Sequence, residues 1–369
     1  MLVERLDLHG FRNLTDAELT LDPSLTLIHG PNGAGKTNML EAIFFGLTGR
    51  SCRTNAERET IRFGEPLSRV EVTVADGDER RRFLSSVARG DGRRQLLDGS
   101  AAGPESVALR PAIALFMPDR LALIKGPPAA RRAHLDRLVP ALWPARADLR
   151  PRFGRALAQR NALLGRIRAG AASPSSLDAW DQELAREAVE LIAARREALD
   201  LLAEPFRVAA ERLGLPGRAE LVYRPRSEAG EAAEFAAELS ERRSHDIERG
   251  HSTHGPHHDE VRIALAERAL RGYGSQGQQR TALLALLFAE RELLLARRGS
   301  PPLMLLDDVM SELDPDRREL LTETLLDTGQ AFVTATHPGQ MPDCVRGELR
   351  VRAGRAEPLA VGSAAAEAA

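Results

Sequence analysis

The chain has 369 residues, 43% hydrophobic and 28% charged, so it suits about two folded domains with cores that need no disulfide or metal support. No apolar run approaches the roughly 20 residues of a bilayer-crossing helix. Glu4 and Asp7 argue against a secretory leader, and Cys52 and Cys344 give neither a disulfide framework nor a zinc spacing, so a cytoplasmic location is expected. A formal net charge of -2 gives no bulk electrostatic support for nucleic-acid binding, leaving only local patches, and 4% aromatic residues leave few platforms for bare bases.

Alternation over residues 2–8 and 17–22 predicts a strand hairpin. Residues 25–29 read as a buried strand and 36–47 as a helix. Residues 68–75 and 79–85 predict a hairpin turning through Ala75-Asp76-Gly77-Asp78, and 112–117 another strand. From about 128 to 214 the chain becomes rich in Ala, Leu, Arg and Glu, which predicts two long helical segments broken at Ala171–Ser176, an ordinary helical domain or an antiparallel arm. A short strand at 220–224 and a helix at 231–248 follow. Strands are then expected at 260–265, 302–307 and 331–335, with helices at 276–297 and 315–328. This gives an α/β domain assembled from 1–125 and 256–355, a mainly helical insertion at 126–255, and a flexible tail at 356–369.

Gly30-Pro31-Asn32-Gly33-Ala34-Gly35-Lys36-Thr37 is a complete GxxxxGK[ST] phosphate loop, with an apolar strand before it and a helix after it. Its glycines let consecutive backbone N–H groups turn towards phosphate, and the helix N-terminus adds a favourable field. Nearly all the basic residues are arginine; the chain's two lysines are Lys36 and Lys125. A compact ammonium at position 36 reaches into the phosphate cradle where a planar guanidinium is bulkier. Lys36 is therefore expected on the β- and γ-phosphates, and Thr37 on Mg²⁺.

Leu303–Leu306 is an apolar stretch ending in Asp307 and Asp308. The first acid suits metal holding and the second suits orienting or deprotonating water. About 270 residues separate Lys36 from Asp307, which fits a head interrupted by an insertion better than a GTPase-like domain. Protein-kinase signatures and GTPase base-reading motifs are not evident.

With these motifs in order, the chain resembles the RecF family of bacterial recombination-repair ATPases, related to SMC and ABC-type heads. The resemblance runs over nearly the whole chain. It includes Phe11-Arg12-Asn13, Gly30–Asn38 continuing into Leu40–Ile43, Gly49-Arg50-Ser51 with Arg53-Thr54, and Phe116 with Pro118. Leu121, Gly126, Arg131-Arg132, Leu135-Asp136 and Gln159-Arg160-Asn161 follow. Gly255-Pro256-His257, Gly274–Thr281, Leu305–Val309 and Ser311–Asp314 complete it.

The resemblance implies a P-loop ABC/SMC-like ATPase head with an inserted mainly helical domain, and ATP with Mg²⁺ as cofactors. Nucleotide contacts fall on Gly30, Pro31, Asn32, Gly33, Ala34, Gly35, Lys36, Thr37 and Asn38, with Arg12 approaching from the N-terminal hairpin. Lys36, Asp307 and Asp308 are the catalytic set, and Thr37 and Asp307 hold the metal. Ser275, Gln276, Gly277 and Gln278 resemble the signature that caps the γ-phosphate held by a second copy; read alone, they are also a polar helix cap. Ser311, Glu312, Leu313 and Asp314 resemble the D-loop. Thr336 and His337 are candidate γ-phosphate sensors, Thr336 being preferred.

The family further implies an ATP-dependent homodimer, weak DNA-stimulated ATPase activity used as a switch, and binding to duplex DNA near gapped junctions. RecR, with RecO and RecA in the same pathway, are the implied partners, RecA being loaded on gaps; the implied location is cytoplasmic and nucleoid-associated, with no membrane partner. The alternatives are a nucleotide-binding subunit of an ABC transporter, and a general SMC-like DNA clamp. The 126–255 insertion and the SELD spelling count against the first, and helices too short for long arms against the second.

Residues 126–170 hold ten arginines against Asp136 and Asp148, a plausible backbone-binding surface with Arg131, Arg132, Arg160, Arg166 and Arg168 as candidates. The same arginines would equally serve to neutralise the acidic stretch 178–249. Arg50 and Arg53 have nucleotide, DNA, a partner head and structural pairing as open roles. His245, His251, His254, His257 and His258 are more readily structural than metal-binding. Three positions depart from the family pattern: His258 replaces the usual Arg, Asp119 a more frequent Glu, and His134 a commonly aromatic residue.

Overall fold

The computed structural model describes residues 1–359 except 55, 91, 118–120, 314, 327, 328 and 342–344. Two compact units emerge, one formed by 1–120 with 294–369 and the other by 121–293. Residues 256–293, expected with the second part of the head, cluster with the inserted unit.

In chain order the first unit begins with β1 (Leu2–His9), β2 (Ala17–Thr20), β3 (Leu25–His29) and α1 (Lys36–Thr48). It continues through β4 (Leu67–Asp76), β5 (Glu79–Ala88), β6 (Gly92–Leu97), β7 (Ser100–Ala101) and β8 (Ile113–Phe116). The inserted unit holds α2 (Ala122–Lys125), α3 (Pro128–Leu142), α4 (Leu149–Arg168), α5 (Leu177–Arg212), β9 (Ala219–Arg224), α6 (Ala232–Glu241) and α7 (Arg243–Arg249). It then adds β10 (Glu260–Leu265), β11 (Arg268–Ala269), α8 (Leu270–Tyr273) and most of α9 (Gln276–Arg298). The chain returns to the first unit with β12 (Leu303–Leu306), α10 (Pro315–Leu326), β13 (Ala331–Ala335), β14 (Gly347–Arg352) and β15 (Arg355–Leu359).

The first unit packs α1 among two six-stranded sheets. One is antiparallel, in the order β2-β1-β4-β5-β6-β7. The other, β15-β14-β3-β13-β12-β8, is parallel from β14 to β8 with an antiparallel edge at β15. Its central strands are buried along their whole length, so they read as unbroken apolar runs rather than alternations. Met39, Leu40, Ile43, Phe44 and Phe45 of α1 join Val70, Val72 and Phe83 of the antiparallel sheet and Ile28, Leu305 and Phe332 of the parallel one in a single core. Gly46 of α1 passes so close to β4 that an added methyl would lie 2.4 Å from Val72 Cγ2.

Two sequence expectations change. Of the segment 356–369 expected to fray, residues 356–359 form a hairpin as part of β15, with Pro358 on the sheet edge where no ladder donor is required of it, and 360–369 lie outside the described residues. The two helical segments expected over 128–214 are three, because Trp143–Asp148 interrupts the first.

Candidate nucleotide site

The site grows from the parallel sheet. β3 runs into Gly30, whose positive φ permits the sharp exit and whose missing side chain lets Val351 O approach; a Cβ there would lie 2.0 Å from that oxygen. Gly33 and Gly35 also take positive φ, and α1 begins at Lys36. Two contacts brace the loop from outside: Gly354 N–H donates to Ala34 O at 2.9 Å, and Asn13 Nδ2 donates to Gly33 O at 3.2 Å. Asn38 Nδ2 in turn donates to Asn13 Oδ1 at 2.7 Å.

Lys36 is buried and its ammonium donates to Gly30 O at 2.7 Å and Pro31 O at 3.1 Å, so it folds back over the loop. Burial lowers its pKa, and the nearby Asp308 and Asp307 charges act in the opposite direction.

β12 delivers the carboxylates. Thr37 Oγ1 lies 3.0 and 2.9 Å from the two oxygens of Asp307, and Thr334 Oγ1 on neighbouring β13 donates to Asp307 Oδ1 at 2.7 Å. Thr334 Oγ1 also accepts the Asp308 N–H at 2.8 Å. Burial raises the Asp307 pKa, and the Thr334 and Thr37 hydroxyls partly oppose that shift. Asp308 occupies a left-handed backbone conformation at φ 48°, and its Oδ1 is buried without a hydrogen-bond partner among the described residues. Such strain in a non-glycine residue recurs at functional positions.

A hydroxyl and a carboxylate side by side are hard oxygen donors, and a dication would offset the burial cost of the Asp307 charge. The residues present therefore fit Mg²⁺.

Thr334 was missed in the sequence. Its signal is a lone hydroxyl in the otherwise apolar strand Ala331–Ala335, paired in register with the strand leading into the phosphate loop. Glu41 was also missed as a site residue. This fully buried acid of α1 accepts Arg12 Nη2 and Nε at 2.7 and 3.0 Å, and lies 3.5 Å from Arg53. Arg12 also donates to Glu59 O at 2.7 Å, so it is engaged within the fold rather than projecting freely.

Thr336 and His337 do not join the Asp307 network. Both backbone N–H groups and the Thr336 hydroxyl turn to Gln340 Oε1, and His337 is exposed. In the D-loop, Ser311 Oγ donates to Asp308 O at 2.9 Å and Leu313 is buried; Asp314 lies outside the described residues, as do Pro118, Asp119 and Cys344.

In the inserted unit, Ser275 and Gln278 form a reciprocal cap at the start of α9. Ser275 N–H donates to Gln278 Oε1 at 2.9 Å, and Gln278 N–H to Ser275 Oγ at 3.2 Å. Ser275, Gln276 and Gly277 are exposed in that turn.

The proposed DNA-binding arginines need correction. Arg160 has no exposed surface: it donates to Asp181, Asp246 and Ser252, each at 2.7 Å. Arg131 is likewise buried, on Glu260 Oε1 and the Leu123 and Gly126 carbonyls. Both lie on the buried stripes of their helices, beside Leu135 and Leu138 in α3 and Phe153 and Leu164 in α4, and that periodicity was the available sequence signal. Arg146 and Arg152 pair with Glu197, Glu187 and Glu190, so much of the apparent positive excess neutralises acids from the following helix. Arg132 is half-buried, while Arg166 and Arg168 are exposed.

The histidines do not converge on a metal: among the described residues no group of three His, Cys, Asp or Glu side chains is placed to hold one. His254 pairs with Glu238 at 2.6 Å, and His257 Nε2 bonds Ser252 O at 3.1 Å.

The model of the RecF/RecN/SMC N terminal domain matches residues 2–355. A relative from Heliobacterium modesticaldum, described as DNA replication and repair protein RecF, is 36% identical over 355 residues, 91% of this chain and 93% of the relative. The chain belongs to the RecF family. A relative of the same description from Anaeromyxobacter sp. is 39% identical, covering 96% of this chain and 98% of its own. Among solved structures, one described as the recombination mediator protein RecF-ATP in the RecFOR pathway matches with a TM-score of 0.90. It is 26% identical and covers 97% of this chain and 98% of that one. An Smc head bound to the C-winged helix domain of ScpA matches at TM-score 0.58 and 16% identity, which shows a fold shared beyond the RecF family.

Proposed function

We propose that this chain is an ATP-driven DNA-binding switch. It holds ATP on the phosphate loop, closes as a homodimer around two ATP molecules, and opens after slow hydrolysis. The observation that carries the reading is the meeting of Thr37, Asp307 and Thr334 across about 270 residues of sequence, beside a phosphate loop whose lysine is held within reach. The ATP-bound relative of 26% identity supports the nucleotide.

The loop N–H groups and Lys36 bind the phosphates, Lys36 exchanging its carbonyl partners for phosphate oxygens. A divalent cation held by Thr37 and Asp307 would supply charge neutralisation at the β- and γ-phosphates. Thr334 fixes both acids: it donates to the Asp307 carboxylate and accepts the Asp308 N–H. The unpartnered Asp308 oxygen is then the acceptor that orients the attacking water. From a second copy, the exposed turn at Ser275–Gln278 caps the γ-phosphate with a helix N-terminus. Contacts that exist only when nucleotide bridges two copies make closure ATP-dependent, and loss of the γ-phosphate removes them.

By family membership the closed form engages duplex DNA near gaps, with RecR as partner and RecO and RecA in the same pathway. Mass measurement with ATP and duplex DNA tests the core of this reading. The natural chain should double in mass, and Lys36→Ala should stay monomeric; a dimer that persists in the variant refutes the ATP link.

A further inference from the structure

The inserted unit contains an open cleft of about 600 Å³ whose walls include Pro128, Arg132, Arg224, Arg226, His258 and Glu260. We propose that this cleft binds backbone phosphates of DNA, an inference that rests on the reading that the protein holds DNA and gives that contact a place.

Several arginines of this unit end on carboxylates, as Arg131, Arg152, Arg160 and Arg195 do. Arg132, Arg224 and Arg226 have no carboxylate within ion-pair distance among the described residues. Glu260 sits directly across from Arg224 in the antiparallel β9–β10 pair, the usual position for a cross-strand ion pair. Its Oε1 is taken instead by Arg131, at 3.0 and 2.8 Å. The one acid on the cleft wall is thus already engaged, and three guanidiniums remain on that wall.

Arg132 and Arg226 are also held in place. Arg132 Nη1 donates to Asp259 O at 2.7 Å. The Arg226 backbone N–H donates to Asp259 Oδ1 at 2.8 Å, and its Nε lies 3.4 Å from His258 O. Asp259 itself is fully buried on Arg195, so the element carrying these contacts is anchored in the unit. Backbone bonds orient Arg132 and Arg226 without neutralising them, which leaves their remaining N–H forks for an anion. Guanidinium forks match phosphate oxygens, and three of them on one wall suit the several phosphates of a phosphodiester backbone better than a single ion. A contact made to phosphate oxygens carries no base information, so the binding proposed is independent of sequence.

The test measures anisotropy of labelled duplex DNA against the full chain with ATP over a salt series, for the natural protein, Arg224→Gln/Arg226→Gln and Arg224→Lys/Arg226→Lys. Neither guanidinium carries an ion pair, so circular dichroism and the thermal transition should be unchanged in both variants. The glutamine pair should weaken binding about tenfold or more, and reduce the slope of log affinity on log salt by about 0.9 for each phosphate contact removed. The lysine pair should restore most of that slope. Natural affinity and slope in the glutamine pair would overturn the cleft while leaving the DNA reading intact, whereas absence of duplex binding by the natural protein would overturn both. Loss of poly-glutamate binding with DNA binding untouched would show that the cleft takes an acidic protein segment, and would also overturn the proposal.

Discussion

Replacing Arg160 by methionine separates a structural arginine from a DNA-binding one. The guanidinium has no exposed surface, and its partners Asp181 and Asp246 are 2% and 0% exposed. Methionine fills a similar length of space but leaves both acids without their central cation. Asp181 keeps Arg243 at 2.7 Å, so part of its charge remains compensated. Asp246 keeps only neutral donors, the Thr253 N–H and hydroxyl at 2.9 and 2.7 Å, and its Oδ2 loses Arg160. Breaking a buried ion pair by removing one partner costs about 3–5 kcal/mol. The surviving Asp181 pair argues for the lower half of that range. Against a domain stability of about 5–15 kcal/mol this is a large fraction. At a urea dependence of about 2–3 kcal/mol per molar, it shifts the unfolding midpoint of the inserted unit down by about 1–2 M. Urea titration followed by circular dichroism reads that shift. Adding Asp246→Asn should recover part of it, because the stranded charge is then gone. DNA affinity per folded molecule should stay unchanged, since no atom of Arg160 reaches solvent. A stability change below about 1 kcal/mol, or a selective loss of DNA binding, would refute the reasoning.

Three further outcomes follow from the geometry. Burial pushes His257 down from the ordinary 6.5 to about 4, and its Nδ1 is buried without a partner for a second proton. The unfolded chain therefore binds the proton more readily between those values. The contribution is present above about pH 6.5 and is lost as pH falls through about 4, with a full amplitude on the order of 3 kcal/mol. His257→Gln should flatten that part of the stability–pH curve measured by urea titration, and an unchanged acid slope would count against it. Gly354→Ala should destabilise the phosphate loop, because the residue sits at φ 82° and an added methyl would fall 1.9 Å from Asn13 O; a strain of about 1–3 kcal/mol should appear in thermal melts together with weaker binding of a fluorescent ATP analogue. Ser275→Arg should leave ATP binding intact and block ATP-dependent dimerisation; an undiminished dimer in sedimentation would remove the signature from the shared site.

Local sequence determined the parts of this protein that depend on neighbours in the chain. The phosphate loop was legible because a buried strand, three glycines with positive φ and a helix start must follow each other within a dozen residues. Asp307 and Asp308 were legible for the same reason, as acids closing an apolar strand. β6 was hidden because its exposed and half-exposed residues carry no alternation, and β15 because its place is an edge supplied by β14. Thr334 acquired meaning only when parallel pairing set β13 between β12 and β3.

The arginines show the boundary most plainly. Composition counted ten of them in 126–170 and suggested a basic surface. Helical periodicity already placed Arg131 and Arg160 on buried stripes, but the partners that make such burial tolerable come from far along the chain, Glu260 for one and Asp246 for the other. Charge and spacing are properties of the sequence. Whether a guanidinium meets a carboxylate or stays open to an outside anion was decided only by folding, because the cost of burying a charge depends on which groups the tertiary structure sets beside it.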